Sequence, residues 1–296
     1  RDLHKEYRRQ RQMCIRDRNY PRRFGVFVNL KFNNINDNDF GSKSAEILEN
    51  AVNEGAIGLK IYKNLGLDLK DSKGNRVKVD DKRLYPIWEA CAKLNIPVLI
   101  HSGEPSPFFD PVDKFNERFL HARQKPKSFR PPEKYPSFDT VMNEQYNMFK
   151  NNPKTIFINA HMGWMANDLD KLEKHLDSLP NVYTEIGAMI GELGRQPRRA
   201  RKFFIDYQDR IMFGKDSYKK SEFDVYFRVL ETVDEEPVDP IPAQLVSKAE
   251  LAEIELRVQE AIRGARKRHT AGDQDSPLDL SRSSSLYPRE NKMEAI

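Results

Sequence analysis

Three short apolar runs each end on a side chain able to bind a metal: Val98-Leu99-Ile100-His101, Ile156-Phe157-Ile158-Asn159-Ala160-His161 and Ile211-Met212-Phe213-Gly214-Lys215-Asp216. Two neutral imidazoles and a carboxylate are the nitrogen and oxygen donors of a divalent-metal centre. They lie 60 and 55 residues apart. Each run has strand composition and gives way to loop-forming residues. At the C-terminal ends of successive parallel strands they would converge at the mouth of an α/β barrel. His101 and His161 are therefore expected as metal ligands. Asp216 is expected either as a third ligand or as the base that takes a proton from metal-activated water.

The elements that would position them alternate along the chain. Strand patterns cover 24–30, 56–62, 97–101, 155–161, 182–186 and 210–213. Helical patterns cover 42–53, 80–94 (with Asp80 as its cap), a stretch ending at Phe149, 167–178 and 198–207. A polar, proline-rich insertion occupies 104–137. Strands separated by helices imply parallel pairing, because parallel neighbours need a crossover connection. The strands are apolar on both sides, as buried parallel strands are. The expected fold is thus an α/β barrel with six strand–helix units of the eight that such a barrel holds.

The ends differ from this centre. Residues 1–18 carry seven Lys/Arg against three Asp/Glu, a surplus of +4 within a net charge of +5. Residues 12–18 resemble a translated library adapter, so the head is expected to be non-native or disordered, with a basic arm for acidic surfaces as the rival reading. The barrel is expected over 19–234. Residues 235–296 read as a linker, an amphipathic helix along Leu251, Ile254, Val258, Ala261 and Ala265, and a disordered tail, with a non-native origin for this segment as the alternative. The central region is close to neutral, which argues against nucleic-acid binding. No apolar run approaches a membrane span, and Cys14 and Cys91 match no metal or redox spacing. A cytoplasmic protein acting on a small molecule, with homo-oligomerisation open, is expected. An exported form stays open because the native N-terminus looks absent.

Five segments in order, Gly58-Leu59-Lys60, IPVLIHSGEP (96–105), FINAHMG (157–163), GRQPRRARKFF (194–204) and DRIMFGKDSY (209–218), resemble the amidohydrolase superfamily. The likeness runs over about 20–232 and is greatest to its branch of uncharacterised amidohydrolases and aromatic-acid decarboxylases. It implies a metal-dependent (β/α)8 TIM barrel with His101, His161 and Asp216 ending the fifth, sixth and eighth strands. The family's first strand ends in a His-x-His pair that is missing here, so the first two units are expected to be absent. The family also has Gly-Thr-Asp where this chain has Gly214-Lys215-Asp216. Lys60 would end the fourth strand, where some members carry a carboxylated, metal-bridging lysine; an ion-paired or snorkelling lysine is the alternative. Arg195 and Arg198 would follow the seventh strand and could hold a substrate carboxylate, or form a solvated helix face. Glu104, just past His101, is a further candidate substrate contact.

The resemblance implies a metal-dependent hydrolase cleaving a C–N or C–O bond of an amide, ester or lactone. Non-oxidative decarboxylation of an aromatic or related acid is the alternative within the family. An inactive fragment or non-catalytic binding protein is the alternative outside it. Zinc is the expected metal, with manganese and iron next.

Overall fold

The computed structural model describes residues 24–216 and 219–231. All belong to the first of the two units into which the chain divides, Arg1–Val238. The expected basic head, Cys14 and the expected linker, helix and tail of 235–296 lie outside the described residues.

Six parallel strands follow one another in sequence order across one sheet: β1 (Val26–Val28), β2 (Ala56–Ile61), β3 (Val98–Ile100), β4 (Phe157–Asn159), β5 (Val182–Glu185) and β6 (Ile211–Met212). Every pairing is parallel. This is the α/β, barrel-type order that alternating strand and helix patterns predict. The helices are α1 (Phe40–Asn53), α2 (Tyr85–Lys93), α3 (Phe119–Gln124), α4 (Phe138–Asn151), α5 (Leu169–Ser178), α6 (Ile190–Gly194), α7 (Pro197–Asp206) and α8 (Phe223–Glu231). Three of these, α3, α6 and α8, have no counterpart among the expected helices. α3 and α6 are only six and five residues long, too short for a periodic stripe to show, whereas α8 has a clear apolar stripe that the sequence reading passes over.

The register separates two faces. Leu59, Val98, Phe157 and Val182 stand side by side and are buried under the helices. Phe157 packs its ring between Trp88 of α2 and Phe149 of α4, with centroids 6.0 and 4.9 Å away. Lys60, Leu99, Ile158 and Tyr183 form the opposite row and are only part-buried. By the two-residue period of a strand, His101 belongs to this second face.

Local chemistry sets the helix starts. Asp81, rather than the expected Asp80, caps the turn into α2 by accepting from the Arg83 backbone N–H. Asp80 instead accepts from the Asn147 side chain. Ser137 and Asp168 cap α4 and α5 in the same way. Glu144 of α4 is buried, pairs with Arg76 through both oxygens and also accepts from the Val79 N–H. The insertion after β3 is ordered by a small core of its own, Phe108, Ala122 and Phe129. Cys91 is a buried thiol whose pKa burial pushes up to about 12, as an inert core cysteine requires. Among the described residues no helix is long and apolar enough to cross a membrane.

Because Phe157 is fully buried in the strand that leads to His161, Phe157→Ala is expected to cost about 3–5 kcal/mol of stability. Urea unfolding followed by circular dichroism checks this; a loss below about 1 kcal/mol would mean that the helix layer does not rest on this ring.

Candidate metal centre

His101 follows β3 directly, and its ring meets that of His161 with centroids 4.4 Å apart. His101 Nδ1 and His161 Nε2 are separated by 3.2 Å. His161 does not reach this point by continuing β4. Residues His161, Met162 and Gly163 take left-handed backbone angles (φ 57, 52 and 59°), and Trp164 continues them at φ 59°. Glycine is needed within this turn for a second reason, since a Cβ at Gly163 would run into the Asn159 side chain. The turn stacks the Trp164 indole against His161, centroids 4.6 Å apart, and directs its N–H to the Ser102 carbonyl at 3.1 Å.

Hydrogen bonding assigns the His161 tautomer. Its Nδ1 lies 2.8 Å from the Gly187 carbonyl oxygen, which can only accept. Nδ1 therefore carries the proton and Nε2 presents a lone pair, the arrangement found in metal-ligating histidines. His101 Nδ1–H donates to that lone pair. His101 Nε2 is then left buried with no partner. The nitrogen spacing suits a cation equally well: two imidazole ligands of one tetrahedral ion sit about 3.3 Å apart at ordinary zinc–nitrogen distances. A divalent ion would take the place of the single proton shared by the pair.

Asp216 Oδ1 lies 3.6 Å from His161 Nε2, and the Asp216 side chain is 69% exposed. The two contacts share His161 but do not close into a cage. Among the described residues no three His, Cys, Asp or Glu side chains form a group that could hold a metal ion. The histidines are turned toward each other, and Asp216 stands on an open loop after β6.

Lys60 is half-buried on the His101 face, with its ammonium 5.6 Å from the centre of the Tyr62 ring. Burial lowers its pKa, opposed by attraction to Glu185 and Asp216. Glu104 is buried within the wall, accepting from Lys63 at 2.7 Å and Arg130 at 2.8 Å. Arg195 is exposed, 3.4 Å from Glu117 and 3.8 Å from Glu192. Arg198 lies on the exposed first turn of α7. A small cleft lined by Pro105, Pro107, Glu117, Trp164, Met189 and Glu192 runs from the indole toward this rim.

The sequence reading passes over Trp164 and assigns no settled role to Arg118 and Glu185. Trp164 forms the floor of the histidine pair. Arg118 anchors the insertion on Glu192 at 2.7 Å. Glu185 ends β5 beneath His161 and accepts its backbone N–H at 2.6 Å. From the strand pattern alone, a Glu185 facing the lumen near the site and one facing outward are equally expected; the structure has it facing the site.

The sequence profile of the Amidohydrolase family matches residues 5–254. Two decarboxylases are among the solved structures that share the fold. The 2,6-dihydroxybenzoate decarboxylase from Rhizobium is 14% identical, covering 79% of this chain and 73% of its own, with a TM-score of 0.51. The dihydroxybenzoic acid decarboxylase from Polaromonas sp. JS666, solved with manganese and the inhibitor 2-nitroresorcinol, is 16% identical over 79% and 71%, with a TM-score of 0.50. At these identities the likeness concerns the fold. No curated protein matches the chain.

The histidine pair carries a pH signature. Burial first, then His161, Lys60 and Lys63, pushes the His101 pKa down to about 2. An unfolded histidine titrates near 6.5, so below that pH the unfolded chain binds a proton that the folded one refuses. Stability is therefore full above about pH 6.5 and falls by up to about 1.4 kcal/mol per pH unit on acidification. Urea unfolding of metal-free protein between about pH 7.5 and 5 should show a steeper acid loss in wild type than in His101→Asn. Equal slopes would refute the assignment.

Proposed function

This chain belongs to the amidohydrolase family, and on that premise we propose that it is a divalent-metal enzyme that removes the carboxyl group of an aromatic or related carboxylic acid. The observation that carries this reading is Lys60. It is a half-buried ammonium on the same sheet face as His101, and no described carboxylate forms an ion pair with it. A cation kept part-desolvated beside neutral imidazoles suits a substrate anion. The fold shared with two decarboxylases supports the same direction.

His101 Nδ1 and His161 Nε2 would hold the metal, with Asp216 Oδ1 nearest to them. When bound, the ion supplies a Lewis acid that orients and polarises the substrate's oxygen atoms. Lys60 binds the carboxylate that is to leave. The Trp164 indole presents a flat apolar surface and keeps water from that side. Loss of carbon dioxide breaks a C–C bond and leaves its electron pair on carbon, which must gain a proton. Asp216, exposed to solvent, is the side chain placed to pass that proton inward at Oδ1. Manganese, the ion bound in the Polaromonas structure, is tried ahead of the zinc that the ligand types suggest.

One observation favours a second reading, hydrolysis of an ester, amide or lactone. The same exposed Asp216 carboxylate, 3.6 Å from His161 Nε2, is placed to accept a proton from water. Manganese-loaded protein offered aromatic acids beside esters, amides and lactones separates the two, by carbon dioxide release against product acid. His101→Ala and His161→Ala should each abolish stoichiometric manganese. Lys60→Met should lower kcat/KM on the acid by roughly 10–100-fold, the loss of one hydrogen bond to a charged group. Undiminished kcat/KM in Lys60→Met would remove the basis for a carboxylate substrate, and turnover by metal-free protein would end the metal reading.

A further inference from the structure

We infer that Glu185 is the positioning residue for His161, one carboxylate fixing the imidazole through both its backbone and its ring. Oε1 accepts the His161 backbone N–H at 2.6 Å, and Oε2 accepts the Gly187 backbone N–H at 2.6 Å. The Gly187 carbonyl in turn accepts the His161 Nδ1–H at 2.8 Å. These three hydrogen bonds close a ring: carboxylate to His161 main chain, imidazole to Gly187 carbonyl, Gly187 N–H back to carboxylate. The ring fixes which nitrogen is protonated and where Nε2 points.

Only a carboxylate fits the demand. Two N–H donors face it, and an ionised Glu offers two acceptor-only oxygens, whereas a Gln offers one oxygen and opposes the second donor with its own NH2. The space around it is shaped to match. A Cβ at Gly214 would fall within the carboxylate, and one at Gly187 would come 2.6 Å from Oε2. Both glycines therefore leave room for this side chain, which is 12% exposed. Neither Glu185 atom is needed as a metal ligand for this role. The consequence for metal affinity rests on the metal-site reading above, but the consequence for the His161 tautomer does not.

The test compares wild type, Glu185→Gln and Gly187→Ala with two readouts. Histidine 15N NMR of metal-free protein reports the tautomer, and titration with manganese chloride reports affinity. Glu185→Gln should lose the single Nδ1–H form of His161 and weaken manganese binding by roughly 10–100-fold, the usual effect of removing a group that orients a ligand. Gly187→Ala, with its carboxylate intact but displaced, should move both readouts in the same direction by less, and it carries the test if Glu185→Gln does not fold. Wild-type tautomer and wild-type affinity in both variants would overturn the inference, even with a lowered Tm, since a merely structural side chain would change stability alone. If wild type binds no manganese, the metal reading fails and the tautomer comparison decides Glu185 by itself.

Discussion

A β-strand can aim only every second side chain at one face, and His161 falls on the wrong beat. The register sets Lys60 beside Leu99 and Leu99 beside Ile158. His101 is thus in phase with Ala160, not with His161. Extended backbone would send His161 under the helices with Phe157 and Asn159. The left-handed turn through Trp164 breaks the alternation and brings the imidazole back to the His101 side. Three non-glycine residues held in that conformation cost about 1–3 kcal/mol each, a strain that persists only where surroundings over-determine it. Here the Glu185 carboxylate, the Trp164–Ser102 hydrogen bond and the packed indole do so. The centre depends on that turn being held.

Much of the scaffold was legible beforehand because each strand is a compact apolar run and each long helix has one apolar stripe. Parallel pairing followed from alternation, and the sequential strand order from the barrel reading. The pairing of His101 with His161 was legible as position at strand ends, although the out-of-phase geometry was not. Nothing in FINAHMG marks where extended backbone stops, beyond a glycine that has several possible uses. The role of Glu185 was hidden because it acts on backbone donors, which every residue has. Glu104 was expected at the substrate, and its burial between Lys63 and Arg130 depends on a residue 26 positions away that sequence spacing could not pair with it.

The departure at Lys215 also has a physical place. Its side chain pairs with Glu222 just before α8, and its ammonium sits 5.9 and 5.2 Å from the rings of Phe223 and Tyr226. It thus engages α8, while Asp216 lies near His161. A threonine there would make neither contact. The lysine ties α8 to the end of β6 and leaves Asp216 free to face the histidines, so this exchange does not disturb the candidate site.

Charge balance narrows what can occupy the centre. His161 Nε2 presents a lone pair and His101 Nδ1 faces it at 3.2 Å. The Glu104 charge is shared between two cations, Lys63 and Arg130. Glu185 is held by backbone N–H groups, which stabilise its charge without adding a compensating one. Lys60 therefore answers only to Glu185 and Asp216 at a distance. A divalent ion added between the histidines would leave the pocket with a positive excess in a part-buried setting, where screening is weak. A neutral ester or amide does nothing to relieve that excess. Under the proposed function a carboxylate substrate would relieve it, and Lys60 lies on the same sheet face as His101.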